Sequence, residues 1–131
     1  MAKNPVAHFE IPADDPERLS GFYSELFDWK INKAPGMEYW LVSTVASKPE
    51  GGPAEVGGIN GGITKRPMPD ARNWVNYVTV GSVDDSVRQA QSLGARVLTS
   101  KSAVPSMGWF AILADPEMNV FGVWQDDSAA K

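Results

Sequence analysis

His8, Glu10 and Tyr77 are the side chains in this sequence whose types and spacing could move protons. His8 and Glu10 lie two residues apart in Val6-Ala7-His8-Phe9-Glu10-Ile11. In a strand they share one face while Phe9 and Ile11 point to the other. A second segment, Val75-Asn76-Tyr77-Val78-Thr79-Val80, repeats that pattern, and each is followed by acidic residues, Asp14-Asp15 and Asp84-Asp85. With Asp15 laid on Asp84, His8 falls on Tyr77 and Ile11 on Val80. A duplicated unit that brings equivalent strands together builds a cleft between them, so His8, Glu10 and Tyr77 become the candidate catalytic set. His8 or Glu10 would shuttle a proton and Tyr77 would orient an oxygen. The blander reading makes His8 a hydrogen-bonded cavity residue and Glu10 a paired or partly solvated carboxylate. No serine can be paired with a second histidine, and no nucleophile elbow or P-loop occurs, so hydrolase and kinase chemistry have no support.

Tyr39, Trp109, Gly122 and Trp124 are the candidate substrate-binding residues. Alternation places Tyr77, Gly122 and Trp124 on the face of His8 and Glu10, and Gly122 would leave a hole there among aromatic rings. Such a hole suits a flat or apolar guest held by polar handles. The competing reading is that these aromatics fill a small sheet or a dimer contact. The pairs Gly57-Gly58 and Gly61-Gly62 lack the spacing of a phosphate loop and precede Pro67 and Pro69 instead of a helix, which rejects nucleotide binding there.

The elements that must position these residues are legible in order. Asp15-Pro16 gives an N-cap and a first-turn proline. The apolar residues Leu19, Phe22, Tyr23, Leu26 and Phe27 then recur at helical spacing, predicting a helix from about Pro16 to Asp28 with Phe22 in the core. Strands follow at Trp29 to Asn32, Met37 to Val45 and, thinly, along the glycine-heavy stretch Val56 to Ile63. After the proline-bearing connection Lys65 to Asn73 comes a strand to Val80. A helix from Asp85 to Leu93 is stopped by Gly94, and further strands run at Ala95 to Thr99, Met107 to Ala114 and Asn119 to Gln125. Asp115-Pro116-Glu117-Met118 turns between the last two, and the tail from Asp126 is expected to fray. The fold class is therefore α+β. Two β-α-β-β-β modules, about residues 5–64 and 74–125, form one domain over residues 1–131 as a cupped mixed sheet around a cleft.

The chain is 131 residues long, so two half-size modules would be marginal alone and must share a core. A net charge of -4 without a basic run argues against nucleic acid as a partner. No apolar stretch is long enough to span a membrane. The absence of cysteine and of a charged-then-apolar leader fits a cytoplasmic location and removes thiolate chemistry.

This order of elements resembles the vicinal oxygen chelate superfamily, which includes glyoxalase I, bleomycin and fosfomycin resistance proteins and extradiol dioxygenases. The strings that carry the resemblance are Ala7-His8-Phe9-Glu10-Ile11-Pro12-Ala13-Asp14-Asp15-Pro16-Glu17, Gly108-Trp109-Phe110-Ala111 and Asp115-Pro116-Glu117-Met118-Asn119-Val120-Phe121-Gly122-Val123-Trp124-Gln125. It is similar above all to the small glyoxalase-related proteins. The resemblance implies a divalent metal held by the first and last strands of each module. Carried over, His8 matches, Tyr77 stands for a histidine, Gly122 stands for a glutamate, and the remaining strand offers only glycines, Ile59 and Asn60. One match in four leaves no metal ligand set to assign, and no cofactor is expected. Met118 stands where the family usually has glycine.

The resulting expectation is a protein binding a small organic molecule in an aromatic cleft, with possible lyase, isomerase or hydroxylase-type activity. The alternatives are a non-catalytic drug-sequestering protein, or a divalent-metal lyase or dioxygenase with atypical ligands. A homodimer would be symmetric.

Overall fold

The computed structural model describes residues 4–49 and 51–131 and contains two helices and eight strands, the α+β class expected. The chain divides into two compact units, one of His8–Trp74 and one of Val75–Lys131 together with residues 4–7.

In the first unit, β1 (Val6–Ala13), which enters this unit at His8, leads into α1 (Pro16–Phe27), then β2 (Lys30–Lys33), β3 (Tyr39–Ser43) and β4 (Asn60–Lys65). The sheet order is β2-β3-β4-β1, with β1 and β4 parallel and the other pairs antiparallel. Phe9, Ile11 and Ala13 are buried on alternate positions of β1 and join Trp40, Val42 and Ile63 in one core. The opposite face of β1 therefore carries His8 and Glu10.

Asp15 caps α1 by accepting a bond from the Arg18 N–H at 3.2 Å, and Pro16 occupies the first turn. Only part of the apolar stripe is turned inward. Leu19 and Tyr23 pack on the core, whereas Phe22 and Leu26 are 55% and 56% exposed. The expectation that Phe22 is a core residue is thus corrected. Pro16, Ser20 and Ser24 also lie on the covered side, so the stripe is rotated and Phe22 and Leu26 sit at its outer edge. The glycine-heavy stretch is shorter as a strand than its sequence suggests. Pairing starts only at Asn60, and Val56 is fully exposed.

The second unit runs β5 (Val75–Thr79), α2 (Val83–Ser92), β6 (Arg96–Val104), β7 (Gly108–Ala114) and β8 (Val120–Asp126), in sheet order β5-β8-β7-β6. Its core is Val83, Ala111, Leu113 and Val123. The N-cap of α2 is Ser82, whose hydroxyl accepts from Asp85 N–H at 3.1 Å, so this helix starts earlier than the acidic pair implies. Ser82 rather than Asp84 plays the capping role of Asp15. The offset is two residues, which leaves every strand face assignment unchanged. Gly94 follows the helix with φ +104°, the left-handed conformation expected there.

Between β7 and β8, the Asp115 carboxylate accepts from the backbone N–H groups of Glu117 and Asn119 at 2.8 and 2.9 Å. Met118 takes φ 66°. The turn keeps its left-handed residue although the side chain there is methionine. The tail does not fray as expected. Asp127 N–H donates to Met107, Ser106 N–H donates to Ala130, and Ala130 is buried.

Candidate functional site

Parallel pairing of β1 with β4 sets His8 beside Asn60 and Glu10 beside Gly62, while β3 brings Leu41 beside Gly62 and Tyr39 beside Thr64. On the face opposite α1, the Tyr39 ring leans across Gly62. A Cβ at Gly62 would lie 2.0 Å from the Tyr39 hydroxyl oxygen, so glycine is required for the ring to cross. The crossing delivers the Tyr39 hydroxyl to His8 Nε2 at 2.8 Å, with the two rings inclined by only 15°.

Burial pushes the His8 pKa down to about 4. The imidazole is therefore neutral at pH 7, with one N–H donor and one acceptor nitrogen. A group so weakly basic is poorly matched to take protons near neutral pH, where a general base works best with a pKa close to the operating pH. What His8 and Tyr39 supply is a preset pair of hydrogen-bonding groups. Glu10, half-buried on the same face two residues along β1, adds a carboxyl group.

In the second unit, Tyr77 pairs with Gly122 and Thr79 with Trp124. Tyr77 is 5% exposed, and a Cβ at Gly122 would meet its ring at 2.3 Å. The hole expected at Gly122 does not exist, because the Tyr77 ring fills it. Each unit thus contains a tyrosine ring lying over a glycine, Tyr39 over Gly62 and Tyr77 over Gly122. Trp124 covers Gly108 in the same manner and donates from Nε1 to Asp126 at 2.8 Å. Trp109 lies on the other face of β7. It packs against the core beneath α2, donates from Nε1 to Asp127 at 2.9 Å and carries Lys101 over its ring at 4.5 Å. Trp109 therefore does not share a face with Gly122 and Trp124.

The residues at the family's metal positions do not fit a divalent ion. Gly122 has no donor and is covered by Tyr77. The Asn60 side-chain oxygen accepts from the N–H groups of Thr44 and Val45 at 2.8 and 3.1 Å, and its nitrogen donates to Ser47. His8 Nε2 is engaged by Tyr39. Among the described residues, no three histidine, aspartate or glutamate side chains gather as a ligand group.

Sequence reasoning names His8 and Tyr39 separately but not as partners, because 31 residues separate them. The available signal is the small residue Gly62 opposite an aromatic strand. Asn60 as the clasp of the Thr44 turn has no local signal at all.

The sequence profile of the glyoxalase-like domain family matches residues 8–124. CFP32 of Mycobacterium tuberculosis and its counterpart in Mycobacterium bovis, provisionally named glyoxylases, are 30% identical over 118 residues. That match covers 87% of this chain and 41% of theirs, so the chain spans about two-fifths of the length of these relatives. Among solved structures, a methylmalonyl-CoA epimerase bound to methylmalonyl-CoA superposes with a TM-score of 0.66 at 12% identity, covering 96% of each chain. A glyoxalase/bleomycin resistance protein/dioxygenase superfamily member from Vibrio splendidus gives 0.61 at 10% identity, covering 95% of this chain and all of that one. Both are likenesses of fold. With its two β-α-β-β-β units and a profile match spanning nearly its whole length, the chain belongs to the glyoxalase-like domain family of the vicinal oxygen chelate superfamily.

Proposed function

We propose that this protein binds a small organic molecule on the face that carries His8, Glu10 and Tyr39, without a divalent metal at the family's conventional positions. The observation that carries this reading is the hydrogen bond between part-buried, neutral His8 and Tyr39 across Gly62. A fixed pair of neutral hydrogen-bonding groups recognises a carbonyl or hydroxyl oxygen by geometry at little entropic cost. Sequestration needs no more than that. A second reading, proton transfer next to a bound carbonyl, is favoured by Glu10, whose half-buried carboxyl group stands on the same face. In that reading Glu10 takes the proton, and the Tyr39 hydroxyl, oriented by accepting from His8 Nε2–H, donates to the oxygen on which charge develops.

His8 is the sole histidine, so its imidazole gives one set of NMR signals. Small uncharged carbonyl compounds added singly should shift those signals when they bind, and Tyr39→Phe should weaken the binding. An uncharged carbonyl compound that binds tightly, leaves the imidazole signals unmoved and binds Tyr39→Phe equally well would place the site elsewhere. Turnover that survives Glu10→Gln would remove the second reading.

A further inference from the structure

We infer that the first unit carries a second binding site, for an organic anion with an aromatic or alkyl body, on the opposite side of its sheet from His8. A groove of about 480 Å³ runs between α1, the end of β1 and the connection after β4. Phe22, Tyr23 and Trp74 supply its apolar wall, while Arg18, Arg66 and Arg72 supply its cationic one. Ile11 and Ala13 line it from β1, and these point away from His8 by strand parity.

Three features make this more than a surface depression. The Arg66 side chain is only 14% exposed and is held in place, its Nε donating to Asp14 at 2.9 Å and its Nη1 to the Ala71 carbonyl at 2.7 Å. A guanidinium fixed in this way loses little freedom when a ligand arrives. Second, the acidic residues in the groove are committed. Asp14 is held below the ordinary carboxylate range by its hydrogen bond from Arg66 and the charges around it, and Asp15 caps α1. Arg18 and Arg72, in contrast, make no ion pair among the described residues. Three guanidinium groups against the two carboxylates of Asp14 and Asp15 leave the groove net positive. Third, Phe22 and Trp74 are 55% and 45% exposed, which leaves large apolar surface beside that charge. A carboxylate or related oxyanion would pair with Arg18 and Arg72 while its apolar body covers Phe22 and Trp74.

The test uses 1-naphthoate, followed by quenching of tryptophan fluorescence and by calorimetry, with 1-naphthylmethanol as the uncharged control. Arg18→Gln and Arg72→Gln alter exposed side chains, so the urea midpoint should stay unchanged, while each should weaken 1-naphthoate binding about tenfold, the loss of one charge-assisted hydrogen bond. Trp74→Ala should weaken both probes. His8→Gln should leave 1-naphthoate binding intact, which separates this site from the His8 face. The proposal is overturned if the parent protein shows no binding of 1-naphthoate into the millimolar range. It is equally overturned if the Arg18→Gln/Arg72→Gln double variant binds 1-naphthoate as tightly as the parent, or if the alcohol binds as well as the acid.

Discussion

Adding a single methyl group at Gly122 tests the packing of the second unit, because the structure specifies what that methyl would meet. An ideal Cβ would fall 2.3 Å from Tyr77 Cδ2 and 2.4 Å from Cε2, against roughly 3.5–4.0 Å for comfortable carbon contact. The ring has to move by roughly 1 Å or more, and Tyr77 is 5% exposed, so it moves against packed neighbours. Overpacking of this kind costs about 1–3 kcal/mol. The backbone at Gly122 is not left-handed, so alanine would otherwise gain about 0.5–1 kcal/mol from reduced chain entropy. The expected net loss for Gly122→Ala is about 0–2.5 kcal/mol, with its middle near 1 kcal/mol. In a Tyr77→Ala background, itself costing about 3 kcal/mol, the clash is gone and the same methyl should be neutral or stabilising. Urea unfolding of the four proteins at constant m should then show a coupling of about 2 kcal/mol, well outside the roughly 0.5 kcal/mol scatter of independent sites. Additive effects would refute the placement of the Tyr77 ring over Gly122.

Helix α1 offers a contrast. Phe22→Ala should cost less than about 1 kcal/mol because the ring is largely exposed, whereas Tyr23→Ala should cost about 3 kcal/mol because its ring packs on the core beside Trp29; reversed urea midpoints would mean the helix is rotated. Met118→Gly should raise stability by about 0.5–1 kcal/mol by relieving a left-handed methionine, and a loss of stability on calorimetric melting would show that the methionine side chain contributes more than the strain. After dialysis, elemental analysis should find far less than one zinc, nickel or iron per chain, because Gly122 and the committed Asn60 leave no ligand set; one ion per chain would show that other donors assemble.

Much of the fold was readable because local chemistry and periodicity agreed. The Asp15-Pro16 start of α1, the alternation of Phe9 and Ile11, and Gly94 after α2 each have one physical reason and one outcome. The misjudged positions depend on partners far away in sequence. Apolar spacing identifies a helix but not its rotation on the sheet, so Phe22 reads as core until Leu19 and Tyr23 are seen to take that place. Strand parity puts Gly122 and Tyr77 on one face, yet whether a glycine leaves a hole or a seat depends on where the neighbouring ring leans. The same holds for Gly62 and Tyr39, where a missing side chain creates the His8 contact instead of a vacancy. The C-terminal tail reads as loose because it is small and polar, but backbone bonds to Ser106 and Met107 anchor it.

The pH response of His8 follows from its burial. Its pKa lies below the ordinary value of 6.5 in the folded state, so between about 6.5 and about 4 the unfolded chain binds a proton that the folded one does not. The contribution of neutral His8 to stability is complete above pH 6.5 and is lost as pH falls towards 4. A group that titrated near neutrality would instead be suited to shuttling protons. The most direct test is an NMR pH titration of the single imidazole in the folded protein. A midpoint near 4, moving upward when Gly62→Ala displaces the Tyr39 ring and admits solvent, is the predicted result. A midpoint at or above 6.5 would contradict the account, because His8 would then be a solvated or charge-paired base and not a part-buried, neutral partner of Tyr39.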